Sequence, residues 1–285
     1  MNLRGHLGRM ILALLIALGL AFLFMPLLSV FVSMSPGQLL IDLNTAASYQ
    51  ALQLSMETTV VTLFLTVLLG TPIAYWLSKS QFRGRNLLRV AVQMPIVSPP
   101  AVAGVGLLLV FGRMGLLGHT LTILGLSLSF NTAAVVLAQV FISIPFYISA
   151  GMQAFEAIND QLVAVSRTLG VSKWNTFCRV TLPIASPGLL SGVALSWGRA
   201  LGEFGATMMF AGNLPGKTQT LPLAIYTAMQ SNMNAAIAMS ALLLIVSFVL
   251  LLSVFLIGRT QQSNRIMRKE VRQNDAVLQI KKTVA

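Results

Sequence analysis

Arg199 and Glu203 are the two charges of this chain that fall inside a long apolar run, in Trp197-Gly-Arg-Ala-Leu-Gly-Glu-Phe-Gly205. An i,i+4 spacing puts both on one face of a helix, close enough to pair. Charges within hydrocarbon are expensive and face a bundle interior or an aqueous path. The pair is therefore either a structural tie or part of a pathway or gate in which Arg199 offers positive potential to an anion. Gly198, Gly202 and Gly205 would let another helix, or a symmetry-related copy, approach closely. Little else in the chain could do chemistry. His6 and His119 stand alone, and the single Cys178 excludes an internal disulfide and a cysteine-built metal site. No Ser/His/Asp set or carboxylate pair suggests catalysis. No G-x4-G-K-[ST] loop is present to cradle nucleotide phosphates. The expectation is a chain with no catalytic residue, no metal and no cofactor of its own.

A second constellation is the polar, basic stretch Ser166–Pro183, S-R-T-L-G-V-S-K-W-N-T-F-C-R-V-T-L-P, set between two apolar segments. Asn159 and Asp160 can cap a short helix from Gln161 through Leu169, and Gly170 suits the left-handed position that ends a helix. Ser172 can cap a second short helix from Lys173, which the residue before Pro183 should not continue. Ser186-Pro187 reads as an N-cap with proline at the first helical position of the next segment. The product is a helical elbow presenting Leu169, Val171, Trp174 and Phe177 beside Arg167, Lys173 and Arg179. Aromatic anchors ringed by cations suit a protein–protein contact; the bland reading is an amphipathic loop lying on lipid headgroups.

The elements that must hold these residues are membrane spans. Of the 285 residues, 56% are hydrophobic and 9% charged, against roughly 25% charged in soluble domains. Charge-free runs separate Arg9 from Asp42, Glu57 from Lys79, Arg89 from Arg113, Arg113 from Glu156, Arg179 from Arg199 and Lys217 from Arg259. Each holds the ~20 residues a span requires. The six spans expected are Met10–Val32, Met56–Ser78, Val90–Gly112, Thr132–Ala154, Pro187–Phe210 and Ala235–Ile257. The first is too long for a signal-peptide core and no A-x-A site follows, so it is expected to stay. In the third, Pro95 and the Pro99-Pro100 doublet remove backbone donors and should kink or interrupt the helix. Such a break survives in lipid only when buried in protein or lining water, so it is a pathway wall or a packing kink. Pro26 and Pro72 are weaker signals of the same kind.

The net charge of +12 is distributed as a positive-inside pattern rather than as a nucleic-acid platform. With the N-terminus inside, Arg4, Arg9, Lys79, Arg83, Arg85, Arg89, Arg167, Lys173 and Arg179 are all cytoplasmic, as is the basic tail 259–285. That tail would also meet anionic membrane lipid. Lys217 falls outside, and Arg113 is placed there with it. The chain is expected to be one transmembrane domain, residues 1–285, with the loop 155–185 and both termini in the cytoplasm.

Ala164-Val165-Ser166, Gly170 and Val180-x-Leu182-Pro183 resemble the E-A-A-x3-G-x9-I-x-L-P signature of ABC-importer permeases. In that family the loop is a coupling helix that docks into a groove on a cytoplasmic ATPase. The resemblance thus implies ATPase-coupling roles for Ser166, Arg167, Leu169, Gly170, Lys173, Trp174, Phe177, Leu182 and Pro183. The signature's leading glutamate is Ala164 here, so its acidic contact is missing; Glu156 and Asp160 lie nearby but out of register.

Arg199–Asn213, continuing into Pro215-Gly-Lys-Thr-Gln-Thr-Leu-Pro-Leu-Ala-Ile-Tyr-Thr227, resembles the permease subunit of molybdate ABC importers. Sulfate permeases share its R-x-L-G-E-[YF]-G core, and like them this chain has a span before the second. The resemblance implies an all-α, polytopic type I permease of the cell membrane that translocates a tetrahedral oxyanion. Molybdate or nearly isosteric tungstate is favoured, and sulfate or thiosulfate is the alternative. It also implies two permease copies, two cytoplasmic ATP-binding subunits that bind the ATP, and an extracytoplasmic oxyanion-binding protein received by the loop Ala211–Asn234. Arg199, Glu203, Gly202, Gly205, Pro99 and Pro100 are the pathway or gate candidates. An ion-coupled secondary transporter with Glu203 as proton site is the competing class, and it gives no reason for the elbow.

Overall fold

The computed structural model describes residues 3–125, 128–256 and 258, with side chains from residue 8 onward, and among them all regular structure is helical. In chain order the helices are α1 (Leu3–Val32), α2 (Pro36–Leu43), α3 (Ala46–Lys79), α4 (Arg85–Val97), α5 (Pro100–Phe111), α6 (Gly118–Ile123) and α7 (Thr132–Glu156). There follow α8 (Asp160–Thr168), α9 (Lys173–Thr176), a π turn (Phe177–Thr181), α10 (Leu182–Leu201), α11 (Gly205–Ala211), α12 (Leu221–Ser231) and α13 (Met233–Leu256). Among the described residues five helical segments are long and apolar enough to cross a membrane, and the bent pair α4–α5, counted as one span, makes a sixth. The basic tail 259–285 lies outside the described residues.

Helix starts follow local chemistry. Thr45 accepts from Ser48 N at 3.2 Å and Asn131 from Ala134 N at 2.9 Å, each satisfying a donor that the first turn leaves free. The centre of the molecule is α7, against which α3 and α10 lie. Thr62 Oγ1 donates to Gln139 Oε1 at 2.9 Å. A Cβ on Gly70 would sit 2.6 Å from the Tyr147 ring, and one on Gly151 would sit 2.9 Å from Ala74. These contacts keep one register along two parallel helices. The α10 helix runs antiparallel to α7, with Gly188 against Ala154 and Gly192 against Ala150. Small residues let helices touch closely where hydrocarbon surroundings supply no hydrophobic drive. By contrast, none of the Gly8–Val32 span is buried within the protomer.

One expected span is broken as foreseen, and another needs correction. The third is interrupted as its prolines predict: α4 and α5 meet at 110°, with Ser98 and Pro99 both extended at ψ 130°. The fifth does not run Pro187–Phe210. It begins earlier, because the second elbow helix does not stop before Pro183. A π turn carries α9 straight into α10, with Leu182 N bonded to Phe177 O, and Pro183 sits where a first turn needs no donor. Ser186 is no N-cap: its hydroxyl donates back to Pro183 O at 2.9 Å, inside the helix. The span also ends earlier, at Leu201, and α11 starts only at Gly205. The segment Ala211–Asn234, expected as a loop, contains α12, whose Leu221, Leu223 and Ala224 are buried. Leu221 N donates to Ser55 Oγ at 2.7 Å and fixes α12 on α3.

Candidate functional site

The two constellations lie at opposite ends of one rod, Lys173–Leu201, a 29-residue apolar span about 43 Å long at ~1.5 Å per residue.

At the elbow end, Asn159 Oδ1 accepts from Gln161 N at 2.9 Å and opens α8. Gly170 closes it at φ +78°, a left-handed conformation that glycine adopts without a Cβ penalty. Ser172 Oγ accepts from Asn175 N at 3.3 Å and opens α9. The hydroxyls of Ser166 and Thr176 meet at 3.1 Å across the bend, tying α8 to α9. Leu169 and Trp174 are 77% and 71% exposed. Phe177 departs from expectation. It is not presented outward but packs edge-on against Tyr75, ring centroids 4.9 Å apart, and against Phe155 at 6.3 Å. Trp174 stacks on its outer side at 5.9 Å. Leu182 is half-buried against the same core, and Pro183 is exposed.

The elbow is clasped to the preceding connection. Lys79 Nζ and Asp160 Oδ1 pair at 2.6 Å, and Glu156 Oε1 takes Arg85 at 3.2 Å together with Arg89. Arg85 also donates to Leu77 O and Ser78 O at 2.8 and 2.7 Å, and Arg89 to Leu77 O at 3.0 Å. Both arginines therefore cap the carbonyl end of α3 while standing on α4. Sequence reasoning missed this clasp. Its signal was present: of seven acidic residues in the chain, two flank the elbow opposite four basic residues of the earlier connection.

At the far end, Arg199 Nη1 and Glu203 Oε2 pair at 2.8 Å, with Glu203 1% exposed and Arg199 29%. The pair forms although the helix ends between its members, because Gly202 and Glu203 still fold back onto Gly198 O and Ala200 O at 3.2 Å. Glu203 Oε1 accepts from Ala206 N at 2.8 Å, so the same carboxylate caps α11. A Cβ on Gly205 would lie 2.8 Å from Pro100, and one on Gly104 would lie 2.7 Å from Met209. Thus Glu203, Gly205 and Pro100 are brought together where α11 meets α5, and Pro99 caps α5 through Ala103 N at 3.1 Å. Gly202 meets only the backbone of Gly198, and Gly198 has open space around it. Among the described residues no group of three His, Cys, Asp or Glu could hold a metal.

Comparison with known proteins bears on this arrangement. Residues 67–265 match the family model described as the binding-protein-dependent transport system inner membrane component. The Mycobacterium tuberculosis molybdenum transport system permease protein ModB is 41% identical over 236 residues, 83% of this chain and 89% of that protein. The Clostridium pasteurianum probable transport system permease protein NifC is 37% identical, covering 84% of each chain. A chain of a bacterial ABC transporter for import of the acidic polysaccharide alginate superposes with a TM-score of 0.74. That match covers 90% of this chain and 96% of the other, at 15% identity, and speaks to the fold.

Proposed function

The chain belongs to the family of binding-protein-dependent transport system inner membrane components, and from that premise we infer that it is the permease subunit of an ATP-driven importer of molybdate. Tungstate would share its path. As a multi-pass subunit of the inner membrane it supplies the passage and works with an ATPase and an oxyanion-binding protein. Two copies of this chain, two ATPases and one binding protein make up the assembly in this reading. ATP is bound and hydrolysed by the ATPase, and no step needs a catalytic group or cofactor here. The binding protein is received where α12 and the turns before it, Asn213–Thr220, face the outside. The elbow and both termini face the cytoplasm.

The observation that carries the mechanism is the unbroken rod from Lys173 to Leu201. Leu169, Gly170 and the cap residues around them engage the ATPase at one end. Closure of the ATPases on ATP moves that end, and the continuous helical segment delivers the motion to Arg199 and Glu203. Glu203 passes it on as the cap of α11, which rests on Pro100 at the broken span. The clasp of Glu156 with Arg85 and Arg89 gives a second route from the elbow to α4. Both routes converge on the Pro99-Pro100 bend. In the passage, Arg199 attracts the oxyanion, and the open faces of Gly198 and Gly202 receive the second copy.

The test is reconstitution of permease, ATPase and binding protein in proteoliposomes. The reading predicts molybdate accumulation that requires ATP and all three proteins. Accumulation driven by a proton gradient without the ATPase would assign the chain to ion-coupled transport instead. Accumulation of sulfate in place of molybdate would move it to the sulfate branch.

A further inference from the structure

Between the elbow and α3 lies a groove of about 900 Å³ that the transport mechanism does not use. Its wall on α3 is Leu68, Pro72 and Tyr75, and Trp174 closes the elbow side. Leu68 and Trp174 are 55% and 71% exposed, so the groove is open to the surroundings of the helix rather than sealed in the core. Two cations, Arg167 and Lys173, also line it. Among the described residues the four ion pairs involve neither of them. Arg167 donates to Val171 O at 3.2 Å, within the elbow.

An apolar trough with unneutralised cations at one end suits an amphipathic anion. From Leu68 to Tyr75 the wall covers about 10 Å along α3 at ~1.5 Å per residue, a stretch in which a lipid tail can lie. Lys79, one further turn along α3, already sits in the charged clasp, so the cationic end of the groove is at the headgroup level. We propose that this groove holds an anionic phospholipid of the cytoplasmic leaflet, its tail along Leu68, Pro72 and Tyr75 and its phosphate at Arg167 and Lys173. Trp174 covers the tail, as an indole suits the boundary between hydrocarbon and headgroup. Of the elbow residues, Leu169 and Gly170 do not line the groove and stay free for the ATPase. Lipid charge in the cytoplasmic leaflet thereby becomes a structural partner of the coupling elbow. The proposal rests on the elbow facing the cytoplasm, as the importer reading has it.

The test uses the full chain in nanodiscs, with Trp76→Phe and Trp197→Phe leaving Trp174 as the one indole. Its fluorescence is followed with phosphatidylglycerol brominated on the acyl chains, and separately with phosphatidylcholine brominated likewise. Each cation near a membrane surface contributes about a fivefold preference for anionic lipid. Stronger quenching by the brominated phosphatidylglycerol is expected, with the preference removed by Arg167→Gln/Lys173→Gln and kept by Arg179→Gln. Equal quenching by the two lipids would overturn the proposal, as would a preference that survives the double substitution. Displacement by inorganic phosphate alone would make the site a free-anion site, and loss of quenching on adding the ATPase would make it a protein interface; either result also overturns it. The readout is lipid contact rather than uptake, so it can fail while the importer reading stands.

Discussion

Glu203 has two partners, one oxygen on Arg199 and the other on the first turn of α11. Removing Arg199 leaves a buried carboxylate without its counter-charge, which costs about 3–5 kcal/mol where a pair is fully buried. Arg199→Leu should therefore lower stability and abolish uptake while the elbow still binds the ATPase. The double substitution Arg199→Met/Glu203→Gln separates the two roles, because glutamine keeps an oxygen for Ala206 N and nothing charged is left alone. We expect thermal stability to recover in detergent and molybdate uptake to stay lost; recovered uptake would reduce the pair to a structural tie. The pairing itself was legible from the spacing of the two residues. That the helix ends between them was not, because the break is stabilised by the cap on α11 and by Gly205 resting on Pro100 from a distant span. Phe177 shows the same limit: its type and neighbours suggest a surface anchor, but Tyr75 and Phe155 draw it inward.

The elbow was readable at the scale of elements because its signals are local. Asn159, Gly170 and Ser172 act within two or three residues of themselves, and each stands where its type predicts. Gly170→Pro forces φ near −65° where the chain needs +78°. It should abolish co-purification of the ATPase while membrane insertion is unchanged. Gly170→Ala, costing roughly 1–2 kcal/mol in the left-handed region, should weaken co-purification without abolishing it. The clasp was hidden, since its partners are 67 to 81 residues apart in sequence. Its members are partly exposed, and such pairs contribute about 0–1 kcal/mol each; their value lies in orientation. Glu156→Gln should leave stability and ATPase binding near those of the parent chain but lower molybdate transported per ATP hydrolysed. An unchanged transport-to-hydrolysis ratio would remove α4 from the coupling route. The passage through Pro183 was misread for a different reason: a proline's local penalty predicts a stop, and the π turn that absorbs it is secured by Phe177 packing into the core.

For the whole molecule, composition and charge-free runs were sufficient to find the crossings, because hydrocarbon thickness constrains each alike, but they misplaced both ends of the fifth. Positive charge gathers at one end of those spans, and the Pro99-Pro100 bend and the short helices α11 and α12 lie toward the other. A rod joins the two ends, and its small-residue contacts with α7 hold it against the body of the protein. In the importer reading proposed above, that architecture carries work done on one face to a passage on the other. The account stands most directly on uptake of labelled molybdate in cells with and without this gene, in the presence of excess unlabelled sulfate. It predicts uptake that depends on the gene and survives sulfate. Uptake erased by sulfate, or molybdate uptake indifferent to the gene, would contradict it.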